Sequence, residues 1–188
     1  PPLMLSGLGD QADVYADEVL RRTAGAALRA AAATSVAVAL PTQDHAARVE
    51  AVGLGAFIGA YRYPGKPDGS PPRRRPQKVS VVVGAVKGLK PAAARARALG
   101  EGIHLARRLV DTPPGHMTPA ALADEAEEAL KDSDVKVTVL SERALRKQKF
   151  GGILAVGQGS ANPPRLVQLA YAPDGAPAPL ALVGKGIT

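Results

Sequence analysis

The chain has 188 residues, 46% of them hydrophobic and 3% aromatic, with no cysteine and a formal net charge of +7. That length supports one domain or one domain plus part of another, with a core built from many small Ala, Val and Leu contacts. The absence of cysteine excludes disulfides and thiolate metal sites and permits a reducing compartment. No apolar run approaches the roughly 20 residues that cross a bilayer as a helix, and no secretory pattern opens the chain.

Residues 3–9 are apolar and lead into Gly7-Leu8-Gly9, which reads as a strand and a turn. Residues 14–33 show helical periodicity through Val14, Val19, Leu20 and Leu28. Residues 35–40, SVAVAL, read as a buried strand that Pro41 stops. Residues 43–62 read as a second helix whose Gly53, Gly55 and Gly59 weaken it in isolation and point to close packing against a neighbour. The Pro, Gly, Ser and Arg of residues 64–77 form a loop. Its run Arg73-Arg74-Arg75 carries part of the charge excess. A charge run without an aromatic platform or groove geometry reads as a solvated loop and argues against nucleic acid as a partner.

Residues 78–84 are a third strand, and 91–110 a long helix started by Pro91 and ended before Asp111-Thr112-Pro113-Pro114-Gly115, which cannot continue it. Thr118-Pro119 offers an N-cap hydroxyl followed by proline at the first helical position. Residues 135–140 alternate as a strand, Ser141 caps a short helix ending near Gly151-Gly152, and 165–171 and 180–184 are two further strands joined through the turn Pro173-Asp174-Gly175. The alternation defines an α/β chain with a mainly parallel or mixed sheet in each part. The expected division is an amino-terminal α/β domain with a mixed sheet over 1–90, a connecting helix and Pro-Pro break over 91–116, and the truncated start of a second α/β domain over 117–188. Pro1-Pro2-Leu3 is not a natural translation start, so both ends read as cuts within a longer protein.

Gly7-Leu8-Gly9-Asp10-Gln11-Ala12 fits the G-x-G-x-x-A form of the dinucleotide fingerprint. No acid stands at the end of the next strand, Leu40-Pro41, where a ribose would need one, and a structural glycine turn is the better reading. Gly184-Lys185 invites a phosphate-loop reading that fails twice, because Gly186 replaces the Ser or Thr and Pro179 replaces the first glycine. His45, His104 and His116 are too far apart in sequence for metal-ligand spacing. No Ser/His/Asp or Cys/His nucleophile arrangement can be assembled. Lys185 is left, at the end of the apolar run Ala181-Leu182-Val183 and between two glycines. It is either a lysine snorkelling to water or a buried amine that gives up its proton and binds a metal or acts as a base.

Three segments bear on that choice. LARRLVDTPPGHMTP (105–119), GGILAVGQGSANPPR (151–165) and LALVGKGIT (180–188) resemble, in this order and spacing, the leucyl aminopeptidase family of dinuclear metallopeptidases, the cytosol aminopeptidases. Gly59-Ala60-Tyr61-Arg62-Tyr63 is similar to that family's amino-terminal domain. The resemblance implies an amino-terminal α/β domain, a connecting helix and the opening of the catalytic domain. It implies a cytoplasmic homo-hexamer acting on peptides with a free amino terminus, with two divalent metal ions per subunit, Mn or Zn, that polarise the scissile carbonyl and hold the attacking hydroxide. It makes Lys185 a ligand of one metal. The bridging aspartate, a second lysine, further carboxylates and a catalytic arginine would follow Thr188, so this segment by itself is expected to be inactive and to hold no catalytic residue. Asp111 departs from the family's usual Asn before Thr-Pro-Pro, with an expected effect on helix capping, and Gly115-His116 replaces more usual polar residues. The rival is a non-catalytic α/β module that binds a nucleotide through the Gly7–Ala12 turn or nucleic acid through Arg73–Arg75.

Overall fold

Leu20, Ala24 and Leu28 recur every four residues, which puts them on one face of helix α1 (Asp17–Ala30), and all three are fully buried. Asp17 and Glu18 in its first turn and Arg29 in its last complement the helix dipole. Val14 precedes the helix, in a turn closed by Asp13 N–H to the Asp10 carbonyl and Ala16 N–H to the Asp13 carbonyl. The computed structural model describes residues 3–10, 13–63, 76–176 and 178–186. The chain divides into two compact units, one through Asp111 and the other from Thr112.

In the first unit, β1 (Ser35–Ala39) pairs in parallel with β2 (Lys78–Val82), Ser35 opposite Lys78 and Ala39 opposite Val82. Parallel strands need a long crossover, and this one carries helix α2 (Ala46–Ala60). The core joins Leu20, Ala24 and Leu28 of α1 to Val38 of β1 and Val52 and Ala56 of α2, with Val36, Val79 and Val81 packed against it. Burying each Leu or Val of this set contributes about 1.5–3 kcal/mol.

The glycines of α2 do what their spacing suggests. A Cβ on Gly55 would run into the backbone of Arg21, and one on Gly59 into the backbone of Gly25, so α1 and α2 meet backbone to backbone. Helix α3 (Leu89–Asp111) starts two residues earlier than Pro91 suggests, because a proline in the first turn removes only an N–H that has no intrahelical partner. Its Ala92, Ala96 and Gly100 form a buried seam of small residues. A Cβ on Gly53 of α2 would stand 3.1 Å from that of Ala96.

In the second unit, Thr118 Oγ1 accepts the Ala121 N–H (3.2 Å) and Pro119 opens helix α4 (Pro119–Leu130), as the sequence indicates. Strand β3 (Lys136–Leu140) runs antiparallel to β4 (Leu166–Ala170), Lys136 opposite Ala170 and Leu140 opposite Leu166. Between them lie α5 (Glu142–Lys147), capped by Ser141 Oγ to Ala144 N–H at 3.4 Å, and α6 (Gly151–Gly157). The described ladders are thus a parallel pair in the first unit and an antiparallel pair in the second. No helix among the described residues is long and apolar enough to cross a membrane.

Three sequence expectations need correction. Residues 3–9 form no strand: they pair with no ladder, and Leu3 and Leu5 are exposed. Residues 180–184 likewise have no ladder partner among the described residues and are neither strand nor buried. The helix after Ser141 stops at Lys147 rather than near Gly151, and a separate α6 begins there. The stop is a paired-hydrogen-bond helix end: Phe150 N–H reaches the Leu145 carbonyl (3.0 Å) and Lys149 N–H the Arg146 carbonyl (3.1 Å), with Lys149 at φ 60°. Of the nucleotide fingerprint, Gly7 to Asp10 lies in strandless chain, while Gln11 and Ala12 lie outside the described residues, as does the Arg73–Arg75 run.

Candidate functional site

Lys185 is exposed, and so is the run before it, with Leu180 at 85%, Leu182 at 90% and Val183 at 97% of full exposure. Next to it, Gly186 lies against helix α4, where a Cβ would come within 2.6 Å of Leu122 Cδ2. The buried amine that the apolar run suggests is therefore not what the described residues form. Among them, no group of three or more His, Cys, Asp or Glu side chains is placed to hold a metal ion. Lys185 offers one lone pair once deprotonated. These residues do not by themselves make up a two-metal centre, and Ile187 and Thr188 lie outside the described residues.

The other two singled-out segments are well ordered by local chemistry. After Pro113-Pro114, the chain turns through His116 N–H and Met117 N–H to the Pro113 carbonyl (2.9 and 3.0 Å). His116 and Met117 then line an open cleft with Thr112, Asp124 and Glu128. Gly157-Gln158-Gly159-Ser160 turns with Ser160 N–H on the Gly157 carbonyl (3.1 Å), and Gly157 packs so closely on Pro164 that a Cβ there would meet its ring at 2.9 Å. That close approach explains the glycine before the Pro-Pro-Arg entry to β4.

The densest polar arrangement lies in the first unit, where α2 ends. Helix α2 has no basic residue in its last turn and an extended Tyr61 as its C-cap, so its final carbonyls need donors from elsewhere. His104 Nε2 reaches the Phe57 carbonyl (2.6 Å) and Arg107 Nη1 the Ile58 carbonyl (3.0 Å). Arg62 Nη1 donates to the carbonyls of Gly59 (2.8 Å) and Tyr61 (2.7 Å), while its Nη2 donates to the Arg29 carbonyl (2.7 Å) at the end of α1. Since a carbonyl only accepts, His104 must carry its proton on Nε2. Tyr61 sits among these donors, edge-on to the His104 ring at 5.3 Å and under the Arg107 guanidinium at 5.6 Å, with its hydroxyl donating to Asp111 Oδ2 (2.7 Å). Residues 104, 107 and 111 are spaced i, i+3, i+7 and lie on one face of α3.

Residues 104–188 match the cytosol aminopeptidase family, catalytic domain. Over its whole length the chain is 45% identical to a probable cytosol aminopeptidase of Micrococcus luteus. The chain belongs to the cytosol aminopeptidase family. It is also 42% identical, again over its whole length, to a probable cytosol aminopeptidase of Streptomyces avermitilis. It spans 38% and 39% of the lengths of these two relatives. Among solved structures, it resembles a bottromycin maturation enzyme, BotP, in complex with Mn, at a TM-score of 0.70 and 32% identity over 84% of this chain and 34% of that one. It also resembles an apo leucyl aminopeptidase from Trypanosoma cruzi, at a TM-score of 0.65 and 25% identity over 85% of this chain and 31% of that one.

The Gly59-Ala60-Tyr61-Arg62-Tyr63 stretch, which carries part of the resemblance, has a physical role in the fold. Arg62 ties the ends of α1 and α2, and Tyr61 links α2 to α3. The sequence shows His104 only as a histidine without metal-ligand spacing and does not reveal its place beside Tyr61 or the Tyr61–Asp111 pair. The available signal was the i, i+3, i+7 spacing of His104, Arg107 and Asp111, but nothing local says which carbonyls they meet.

Burial, then the hydrogen bond to Asp111 and its negative charge, push the Tyr61 phenol up to about 12, with Arg107 opposing. A phenol raised above its unfolded value of 10 stabilises the fold fully below about pH 10, and that contribution is lost as pH rises through about 12. In an ultraviolet phenolate titration, one of the four tyrosines is expected to ionise near pH 12, and Tyr61→Phe should remove that step. The same substitution should flatten the fall of the melting midpoint between pH 10 and 12. A titration curve unchanged apart from amplitude loss near pH 10 would contradict the assignment.

Proposed function

We propose that this chain is the amino-terminal segment of a leucyl aminopeptidase-type enzyme that removes amino-terminal residues from peptides by two-metal hydrolysis. The observation that carries the reading is the match of residues 104–188 to the family's catalytic domain within a chain that is 45% identical end to end to a probable cytosol aminopeptidase. In this reading, 1–90 is the amino-terminal domain, 91–116 the connector and 117–188 the opening of the catalytic domain. The compact division after Asp111 falls inside that connector.

Lys185 is the residue of this segment that we assign to the metal centre, as a neutral amine ligand to one of two divalent ions, Mn or Zn. The relatives' length beyond this segment leaves room for the carboxylates and the second lysine that complete such a centre. When bound, the ions polarise the scissile carbonyl and lower the pKa of the attacking water. Peptides with a free amino terminus are the substrates, a homo-hexamer the assembly and the cytoplasm the compartment. The Mn carried by the similar bottromycin maturation enzyme supports a divalent metal.

The 188-residue chain is expected to release no leucine from leucine p-nitroanilide with added Mn²⁺ or Zn²⁺, because one amine cannot hold two ions. The polypeptide carried on beyond Thr188 is expected to release it in a chelator-sensitive way. Release by the short chain would refute its inactivity, and failure of the longer, metal-loaded polypeptide would refute the aminopeptidase reading.

A further inference from the structure

We propose that the backbone carbonyls of Arg29, Gly59 and Tyr61 form a guanidinium socket, filled in this chain by its own Arg62, at the point where two helices running in the same direction bring their negative ends together. The direction follows from the contacts. A Cβ on Gly55 would meet the backbone of Arg21, and one on Gly59 that of Gly25, so the contact advances by four residues on both helices. Helices α1 and α2 therefore run alongside each other toward a common point, where α1 ends at Ala30 and α2 at Ala60. Each helix end carries about half a negative charge on carbonyls without intrahelical partners, and two such ends side by side repel. Arg29 is the basic residue in the last turn of α1, and α2 has none in its own.

Arg62 meets both ends with one planar group. Its Nη1 donates to the Gly59 and Tyr61 carbonyls at 2.8 and 2.7 Å, and its Nη2 to the Arg29 carbonyl at 2.7 Å. All three partners are main-chain acceptors, so the path of the backbone makes the socket, and it takes only donors. His104 and Arg107 are bonded to the Phe57 and Ile58 carbonyls of α2, whereas the Arg62 fork reaches α1 as well. Solvent has access to the socket. Arg62 is half-buried and lines an open cleft of about 330 Å³ at the end of α2, to which α3 contributes the carboxylate of Glu101 and a second cation, Arg108. That space is several times the roughly 30 Å³ of one water, so a small planar cation can enter once the Arg62 side chain is cut back. The socket selects by shape: N–H donors fixed in one plane reach separate carbonyls together, which a compact ammonium does not.

Urea unfolding of the chain, followed by circular dichroism, tests the socket with guanidinium itself as the probe. Arg62→Ala should lower the folding equilibrium constant by at least about tenfold, the effect of losing charge-assisted hydrogen bonds. Guanidinium chloride at millimolar levels, far below those that unfold proteins, should then raise that constant about threefold when the ion stands at twice its dissociation constant. The parent should show no such gain, nor should Arg95→Ala, which loses the Arg95–Glu50 pair between α3 and α2. Sodium chloride and tetramethylammonium chloride, whose cations lack N–H donors, should rescue neither variant. Arg62→Lys keeps the charge without the fork and should stay at least about threefold below the parent, the effect of one lost hydrogen bond. That variant decides the matter if Arg62→Ala does not fold. Parent-like stability of Arg62→Lys, or an Arg62→Ala chain that gains no more from guanidinium than from sodium chloride, would overturn the proposal.

Discussion

Gly55→Ala and Gly59→Ala should each collapse the first unit, with a cost of about 3 kcal/mol or more per added methyl, the upper range for overpacking a core. The reason is what the new atom meets. At both positions it meets main chain of α1, at Arg21 and at Gly25, and main chain cannot rotate away as a side-chain tip can. Relief requires α1 and α2 to separate, which opens the contacts among Leu20, Ala24, Leu28, Val52 and Ala56. Against a total stability of about 5–15 kcal/mol for an ordinary domain, one such change is severe and the pair is disabling. Two controls make the argument specific. Gly25→Ala places its Cβ 3.2 Å from the Gly55 carbonyl oxygen, a tight but survivable approach, and should cost less. Gly102→Ala, inside α3 with nothing within 4 Å, should stabilise by up to about 1 kcal/mol through helix propensity. Urea unfolding followed by circular dichroism ranks all four. Equal midpoints for Gly55→Ala and Gly102→Ala would show that the helices do not meet as closely as described.

That contrast shows which kinds of information the sequence carries openly. Caps and turns are local chemistry, so Thr118-Pro119, Ser141 and Pro173-Asp174-Gly175 are placed correctly by inspection, the last with Ala176 N–H on the Pro173 carbonyl at 3.1 Å and Gly175 at φ 73°. Helical periodicity through Leu20 and Leu28 finds the buried face of α1, whereas the small-residue seam of α3 shows only in the structure. Three things are hidden, each for a physical reason. The end of α5 is hidden because Lys149 takes the left-handed position that glycine usually marks, and the nearby Gly151-Gly152 pair attracts the assignment instead. Residues 3–9 and 180–184 are apolar enough to be strands, but a strand exists only where a ladder partner stands beside it, and partners are not a local property. The partners at the end of α2 come from residues 47 to 50 positions further along, so no window of sequence shows that His104 and Arg107 meet the Phe57 and Ile58 carbonyls or that Asp111 accepts from Tyr61. The candidate site divides in the same way. The glycine-flanked Lys185 is visible as an anomaly in the chain, whereas its chemical role depends on donors that the described residues do not include.

In the aminopeptidase that we propose, Lys185→Met and Lys185→Arg should both lower kcat/KM by more than about 100-fold, since changes to residues that merely support a ligand already cost about 10–100-fold. The two variants separate two roles that a lysine could play. A metal ligand must donate a lone pair, so the ammonium has to lose its proton before it binds. Methionine is close in length but lacks the amine. Arginine keeps the positive charge and stays protonated at any working pH, so it cannot replace a neutral amine. If Lys185 served only as a positive charge, for example to hold a substrate carboxylate, Lys185→Arg would keep much of the activity and Lys185→Met would not. Metal content gives a readout that does not depend on turnover: titration with Mn²⁺ or Zn²⁺ should show both variants losing one class of site while the other remains. Affinity of that class in the parent should fall as pH falls, because protons compete for the same lone pair. An arginine variant with full metal content and near-parent kcat/KM would remove Lys185 from the metal centre and return it to the reading of a solvated lysine, which its exposure also allows.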